Sequence, residues 1–404
     1  MFNVMKKVLF VIPDLRIGGV QKSIISFLNC LMDAPEKKEF EVQLLVVDTV
    51  GTFFSRIPKD VHLAEPPHEL RWLGMRLQKR LFSQFFSWNG FLGEISWMLR
   101  NRLGLFSKAL NRQQKLWECW RKRIPDGDEH YDIAISYMDG FSNYYVMEKV
   151  RADRKILWIH NEYQKQGCSP DFDRPFFESC QGIITISEKC RDCILKEFPE
   201  FAQKTYVLQN ITDPKTIMVA AEEGQCPEYD DSVGLKLLSV GRLSYLKGFD
   251  LAIEAAWHLR EAGMKFMWLV VGDGPERSAL QSLIDQKELS DCFRLVGARD
   301  NPYGYMRRCD ILVQPSRSEG KSIVIDEAKC LCKPIVATNY TTVSDTICHG
   351  KTGWVVEMDP KSLAEGILQL GGDPELREML SETLKAEPSY VDQVLKQYIL
   401  RMMK

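Results

Sequence analysis

Short apolar runs rich in Val, Ile, Leu and Phe recur along this chain, each followed by helical spacing, and the pattern is laid down twice. The first run is Lys7-Val8-Leu9-Phe10-Val11-Ile12, closed by Pro13. Val20, Ile24, Ile25, Leu28 and Leu31 follow at the spacing of a helix that covers a buried parallel strand. Further strands are expected at 42–47, 133–137, 155–159, 183–186 and 206–208. A polar stretch, 213–232, holding Pro214, Gly224 and Pro227, then reads as a linker. Beyond it the alternation restarts, with strands expected at 235–240, 266–271, 293–296, 311–314, 334–337 and 354–356. Helices are expected between them near 249–262, 275–287, 302–308, 322–332 and 361–370. The expected fold is therefore α/β, with two Rossmann-like, doubly wound parallel-sheet domains, 1–212 and 233–388. Such sheets bind ligands outside the carboxyl ends of their strands, so two that face each other would place a site in a central cleft.

At 404 residues the chain exceeds what one core serves, and with 45% hydrophobic and 27% charged residues both halves can bury one. A formal net charge of −2 selects no class of partner, and no nucleic-acid recognition module is visible. Twelve cysteines without a secretory h-region read as reduced thiols, so the expected compartment is the cytoplasm, with no membrane-spanning segment.

Region 66–123 breaks the alternation. It holds Trp72, Trp88, Trp97, Trp117 and Trp120, and twelve Lys/Arg against three acids, Glu69, Glu94 and Glu118. Two readings stay open: helical core over the first sheet, or contact with an anionic membrane surface, with the protein peripheral on its inner face.

The densest chemistry follows the expected strand 311–314. Glu319 precedes Gly320, Lys321, Ser322 and Ile323, where a helix should open, and Glu327 falls about a turn and a half into it. Free N–H groups and the positive end of the helix dipole suit a diphosphate, while ionised carboxylates accept hydrogen bonds from sugar hydroxyls. This segment, closed by Pro334-Ile335-Val336-Ala337, resembles retaining glycosyltransferases of family 4, whose two-domain fold is GT-B, in its bacterial surface-polysaccharide branch. The resemblance implies that Glu319 contacts the donor sugar and Glu327 the ribose. Lys321 is a departure, since many relatives carry Phe or Leu there.

Gly241-Arg242-Leu243-Ser244-Tyr245-Leu246-Lys247-Gly248 resembles the family's Gly-Arg-x4-Lys-Gly stretch. Departure of a diphosphate leaves charge that a cation must stabilise when no metal is present, which makes Arg242 and Lys247 the candidates. Gly272 and Gly297 match loops that relatives place near the nucleotide and base, although Gly272 also fits a purely structural turn. Gly18 and Gly19 resemble the family's N-terminal glycine loop, not a dinucleotide fingerprint. His160, at the end of the expected strand 155–159, matches a histidine placed near the donor sugar; a hydrogen-bonded structural histidine is the alternative. In relatives a final helix returns over the first domain, which implies the same for 389–404.

Asp171-Phe172-Asp173 lies between Pro170 and Pro175, read as a polar loop, and is set aside as a metal motif; Cys190-x-x-Cys193 lacks a partner pair. The expectation is a metal-independent, retaining glycosyltransferase with no cofactor. It moves a hexose or N-acetylhexosamine from a nucleotide-diphosphate sugar, a UDP-sugar first, to a glycan or lipid-linked glycan in bacterial polysaccharide biosynthesis. A GT-B sugar-nucleotide epimerase and a non-catalytic nucleotide-sugar-binding protein are the alternatives.

Overall fold

The computed structural model describes residues 5–16, 18–49, 51–74, 88–230, 232–387 and 391–403. Arg76, Lys79 and Arg80 of the basic region, Asp231 of the expected linker and residues 388–390 lie outside them. The chain divides into two compact units, Met1–Ile211 with Tyr390–Lys404, and Thr212–Ser389.

The first unit is built on a seven-stranded sheet: β1 (Lys6–Asp14), β2 (Phe40–Asp48), β3 (His62–Ala64), β4 (His130–Ser136), β5 (Arg151–Ile159), β6 (Gly182–Thr185) and β7 (Thr205–Val207). Their order is β3-β2-β1-β4-β5-β6-β7, and every recorded pairing is parallel. The order reverses between β1 and β4, so the loops that follow these two strands diverge and leave a crevice at their carboxyl ends. Alternate side chains feed two cores. Val8, Phe10 and Ile12 join one with the helix Gly19–Asp33, and Leu9 and Val11 join the other with Trp72, Trp117 and Trp120.

The second unit repeats the plan with six strands: β8 (Leu235–Val240), β9 (Phe266–Val271), β10 (Phe293–Gly297), β11 (Ile311–Gln314), β12 (Ile335–Thr338) and β13 (Trp354–Val356). Their parallel order β10-β9-β8-β11-β12-β13 reverses between β8 and β11. Each sheet is parallel, doubly wound and Rossmann-like, as expected from the sequence.

Segment 213–232 is more than a tether. Asp213 accepts hydrogen bonds from the Lys215 and Thr216 amides, and Pro214 fills the first helical position, so a helix runs Pro214–Glu223. Its buried residues, Ile217 and Ala221, pack on Tyr303 within the second unit. Asp171 and Asp173 likewise sit in the first turn of a helix, Pro170–Ser179, not in a loop. Asp173 is buried and accepts from Gln114 Nε2, Tyr144 OH and Tyr163 OH, so it serves as a packing hub. Ser187 caps the helix Glu188–Glu197 through the Cys190 amide.

The final helix, Val391–Met403, packs in the first unit: Val391, Val394, Leu395, Tyr398 and Ile399 join its core. Tyr398 stacks on Phe27 at 5.0 Å and donates to the Gln209 carbonyl at 2.6 Å. The Trp-rich region divides. Trp72, Trp117 and Trp120 are fully buried core residues, whereas Trp88 is 71% exposed. Among the described residues no helix is long and apolar enough to cross a membrane.

Candidate functional site

In the second unit the crevice between β8 and β11 gathers the expected donor residues. Lys247, in a short 3-10 turn after β8, places its Nζ 2.6 Å from Oε1 of Glu319 in the loop after β11. The same oxygen accepts from Ser316 Oγ at 2.6 Å and Gln314 Nε2 at 2.8 Å, while the Glu319 carbonyl accepts from Thr342 Oγ1. Three donors on Oε1 fix the carboxylate and, among the described residues, leave Oε2 for a further donor. Gly248 makes the approach of the two loops possible. It has φ +66, and a Cβ there would lie 2.0 Å from the Pro315 carbonyl oxygen.

Arg242 is exposed and, among the described residues, makes no ion pair or hydrogen bond. Of the two cations singled out in the sequence, Lys247 is therefore committed to Glu319 and Arg242 is available to an anion. Lys321 is also committed. Its Nζ is 3.1 Å from Asp326 Oδ2, with both side chains under a tenth exposed. Burial raises the Asp326 carboxyl above its usual range, and the Lys321 charge opposes that shift.

Ser322 precedes the helix Ile323–Cys330 as its N-cap without making a side-chain cap bond; its buried Oγ has no hydrogen-bond partner among the described residues. The amide end at Gly320 to Ile323 and the Ser322 hydroxyl thus offer donors to an anion or a hydroxyl. Glu327, one residue after Asp326, is 1% exposed, and its Oε1 accepts from Tyr303 OH at 2.8 Å. Tyr303 is a residue the sequence reasoning missed. It lies in the helix Tyr303–Arg308, and only the fold brings it to Glu327.

Gly272 has a packing role: a Cβ there would lie 1.8 Å from the Gly241 carbonyl oxygen, so the loops after β8 and β9 need it to touch. Gly297 ends β10, and its carbonyl accepts from the Gly272 amide at 2.9 Å.

In the first unit, Gly18 is the N-cap of the helix Gly19–Asp33 in an extended conformation that any residue adopts. Nearby, Arg16 pairs with Asp48 at the end of β2. His160, just past β5, is 5% exposed and stacks on Trp158 with ring planes 9° apart. Its Nε2 lies 3.0 Å from the Tyr137 carbonyl, which can only accept, so Nε2 carries the proton and Nδ1 holds the lone pair. Burial pushes the imidazole pKa down to about 4, against a raising contribution from the carbonyl, so the ring is neutral near pH 7. Nδ1 is buried without a hydrogen-bond partner among the described residues and can accept one from a hydroxyl. Asp139, in the loop after β4, was not singled out in the sequence. It accepts from Asn161 Nδ2 at 3.1 Å and from Gln166 Nε2, and burial raises its carboxyl.

Two facts bear on a metal. Among the described residues there is no group of three or more His, Cys, Asp or Glu that could hold one. Asp173 of the Asp-x-Asp motif already accepts three hydrogen bonds.

The two doubly wound sheets define a protein of the GT-B class, and comparison with known proteins agrees. Residues 231–387 match the family model of glycosyl transferases group 1. Alpha-D-kanosaminyltransferase of Streptomyces kanamyceticus is 28% identical over 316 residues, covering 74% of this chain and 77% of the relative. The lipopolysaccharide core biosynthesis glycosyltransferase LpsD of Rhizobium meliloti is 35% identical over 154 residues, covering 37% of this chain and 44% of its own length. The crystal structure of Anabaena Alr3699/HepE in complex with UDP and glucose superposes with a TM-score of 0.69 at 16% identity, covering 99% of this chain and 100% of that one. Residues 231–387 are thus similar to the group 1 glycosyl transferases, and the fold is GT-B.

Proposed function

We propose that this protein transfers a hexose or N-acetylhexosamine from a UDP-sugar, with retention and without a metal, to a glycan or lipid-linked glycan. The process it serves is bacterial surface-polysaccharide assembly, at the cytoplasmic face of the membrane. One observation carries the reading. At the β8/β11 switch point a carboxylate fixed by Lys247, Gln314 and Ser316 stands in the same crevice as an uncommitted Arg242 and the N-terminal amides of the helix Ile323–Cys330. That set binds both halves of a sugar diphosphate, hydroxyls at Glu319 and phosphate at Arg242 and the amides.

The chemistry follows from charge. The sugar–phosphate bond breaks as the acceptor oxygen bonds to the anomeric carbon. The leaving diphosphate gains negative charge that Arg242 and the helix amides stabilise, and its phosphate oxygen takes the acceptor's proton. His160 of the first unit, neutral near pH 7, holds an Nδ1 that can accept a hydrogen bond from a hydroxyl. Support for the donor comes from the cyanobacterial structure holding UDP and glucose, and for the acceptor class from the lipopolysaccharide relative.

The test is to incubate the protein with UDP-glucose or UDP-N-acetylglucosamine and a panel of glycan acceptors in the presence of a chelator, and to read the product's anomeric configuration by NMR. A new glycosidic bond with the donor's configuration is expected. An inverted product, a strict metal requirement or an epimerised nucleotide sugar formed without acceptor would overturn the reading.

A further inference from the structure

The helix Trp88–Arg102 has two apolar faces. One is spent on the core: a Cβ on Gly93 would lie 2.7 Å from the Trp120 indole, so this helix rests its backbone against that buried ring. The other face is open. Trp88 is 71% exposed, Leu92 50%, Leu99 54% and Leu103 67%, and separations of four, seven and four residues align them along one side of the helix and its end. Met98 (49%) lies beside this row and Leu105 (61%) just beyond it.

Sixteen large hydrophobic side chains are exposed among the described residues, and these six fall within 88–105. Scattered apolar residues are normal on a protein surface, whereas a contiguous row marks an interaction face.

The charges around the row identify its occupant. Arg102, Lys108 and Arg112 are exposed nearby. Of the two acids described between 88 and 124, Glu94 is buried and Glu118 bonds Arg100 at 3.3 Å. Beside the helix a groove of about 530 Å³ is lined by Arg100, Arg121, Lys122 and Lys149, with Glu118 and Glu148. An apolar row carrying an exposed indole and edged by the exposed cations Arg102, Lys108 and Arg112, with further Arg and Lys paired to acids in the groove beside it, fits the interface of an anionic bilayer: leucines at the acyl boundary, Trp88 at headgroup depth, and Arg and Lys on lipid phosphates.

We propose that this row is the protein's membrane-docking surface, and that it replaces Trp72, Trp117 and Trp120, which are core, as the contact of the basic region. The proposal deepens the reading of a lipid-linked acceptor, but docking itself does not depend on sugar transfer.

The experiment is co-sedimentation of the full chain with vesicles of phosphatidylcholine mixed with phosphatidylglycerol and with vesicles of phosphatidylcholine alone. The variants are Leu99→Ser/Leu103→Ser and Arg102→Glu/Lys108→Glu, with UDP binding and size-exclusion elution measured on the same samples. The wild type should partition onto the anionic vesicles, and each double variant should partition at least about tenfold less. High salt should weaken wild-type binding, and UDP binding should stay unchanged throughout. Equal sedimentation of wild type and variants, or none by the wild type, overturns the proposal. So does wild type that elutes as a dimer, ignores vesicles and becomes monomeric in the leucine variant, since the face is then a self-association surface. Loss of UDP binding in the wild type would instead count against the donor-site reading alone.

Discussion

Lys247 Nζ and Glu319 Oε1, 72 residues apart in sequence, meet at 2.6 Å and tie the loop after β8 to the loop after β11 at the switch point of the second sheet. The pair does two things. It fixes a carboxylate for hydroxyl recognition, and it withdraws Lys247 from direct service to a phosphate.

Lys247→Met should therefore act through Glu319. With Gln314 and Ser316 still holding Oε1, the fold should survive with a melting shift of a few degrees, while kcat/KM for transfer falls about 100-fold. Glu319→Gln should resemble it, and the double variant should lose little more than either single one, which a double-mutant cycle on kcat/KM will show.

Tyr303→Phe removes one hydroxyl from a buried carboxylate. Glu327 loses a donor, so we expect a destabilisation of about 1–3 kcal/mol in urea unfolding and UDP binding weakened about tenfold by calorimetry.

Lys321→Met leaves Asp326 buried beside Glu327 without its nearest cation. We expect a loss of about 3–5 kcal/mol, with much of it recovered in Lys321→Met/Asp326→Leu, since removing both charges relieves the desolvation cost. Urea unfolding of the single and double variants measures this. A Lys321 that served mainly as a phosphate ligand would leave stability nearly unchanged and impair donor binding instead.

His160 sets a pH dependence. Its folded pKa, about 4, lies below the ordinary 6.5, so the unfolded chain takes up the proton first as pH falls. Its stabilising contribution is complete above pH 6.5, declines from there toward pH 4, and is absent below. The full span is about 3 kcal/mol, and His160→Asn should flatten the wild-type slope of stability against pH across that window.

Much of the fold was legible because buried parallel strands are written as continuous apolar runs. The expected bounds 235–240, 266–271, 311–314 and 354–356 coincide with β8, β9, β11 and β13. β3 was missed because His62-Leu63-Ala64 contains no such run and is held by pairing with β2. The helix Pro214–Glu223 was hidden by its polar composition: only Ile217 and Ala221 are buried, and Asp213 and Pro214, read as linker punctuation, are its cap and first residue.

The site shows the same division. Glu319, Glu327, Arg242 and Lys247 carry a spacing that sequence can display. Their partners Gln314, Ser316 and Tyr303 were not visible, because nothing local distinguishes a serine or tyrosine that will meet a carboxylate through tertiary packing. Nor could the sequence show that Lys321, a departure from relatives that carry Phe or Leu there, is paired with buried Asp326.

The most direct test of the central claim, a UDP-sugar donor site in the second unit, is calorimetric titration of UDP into the wild type, Arg242→Ala and Glu327→Ala. The account predicts saturable binding by the wild type, weakened about tenfold or more in each variant, because one loses the uncommitted cation and the other the buried carboxylate. A wild type that does not bind UDP, or variants that bind it equally well, would contradict the assignment and leave only the fold in common with the glycosyltransferases.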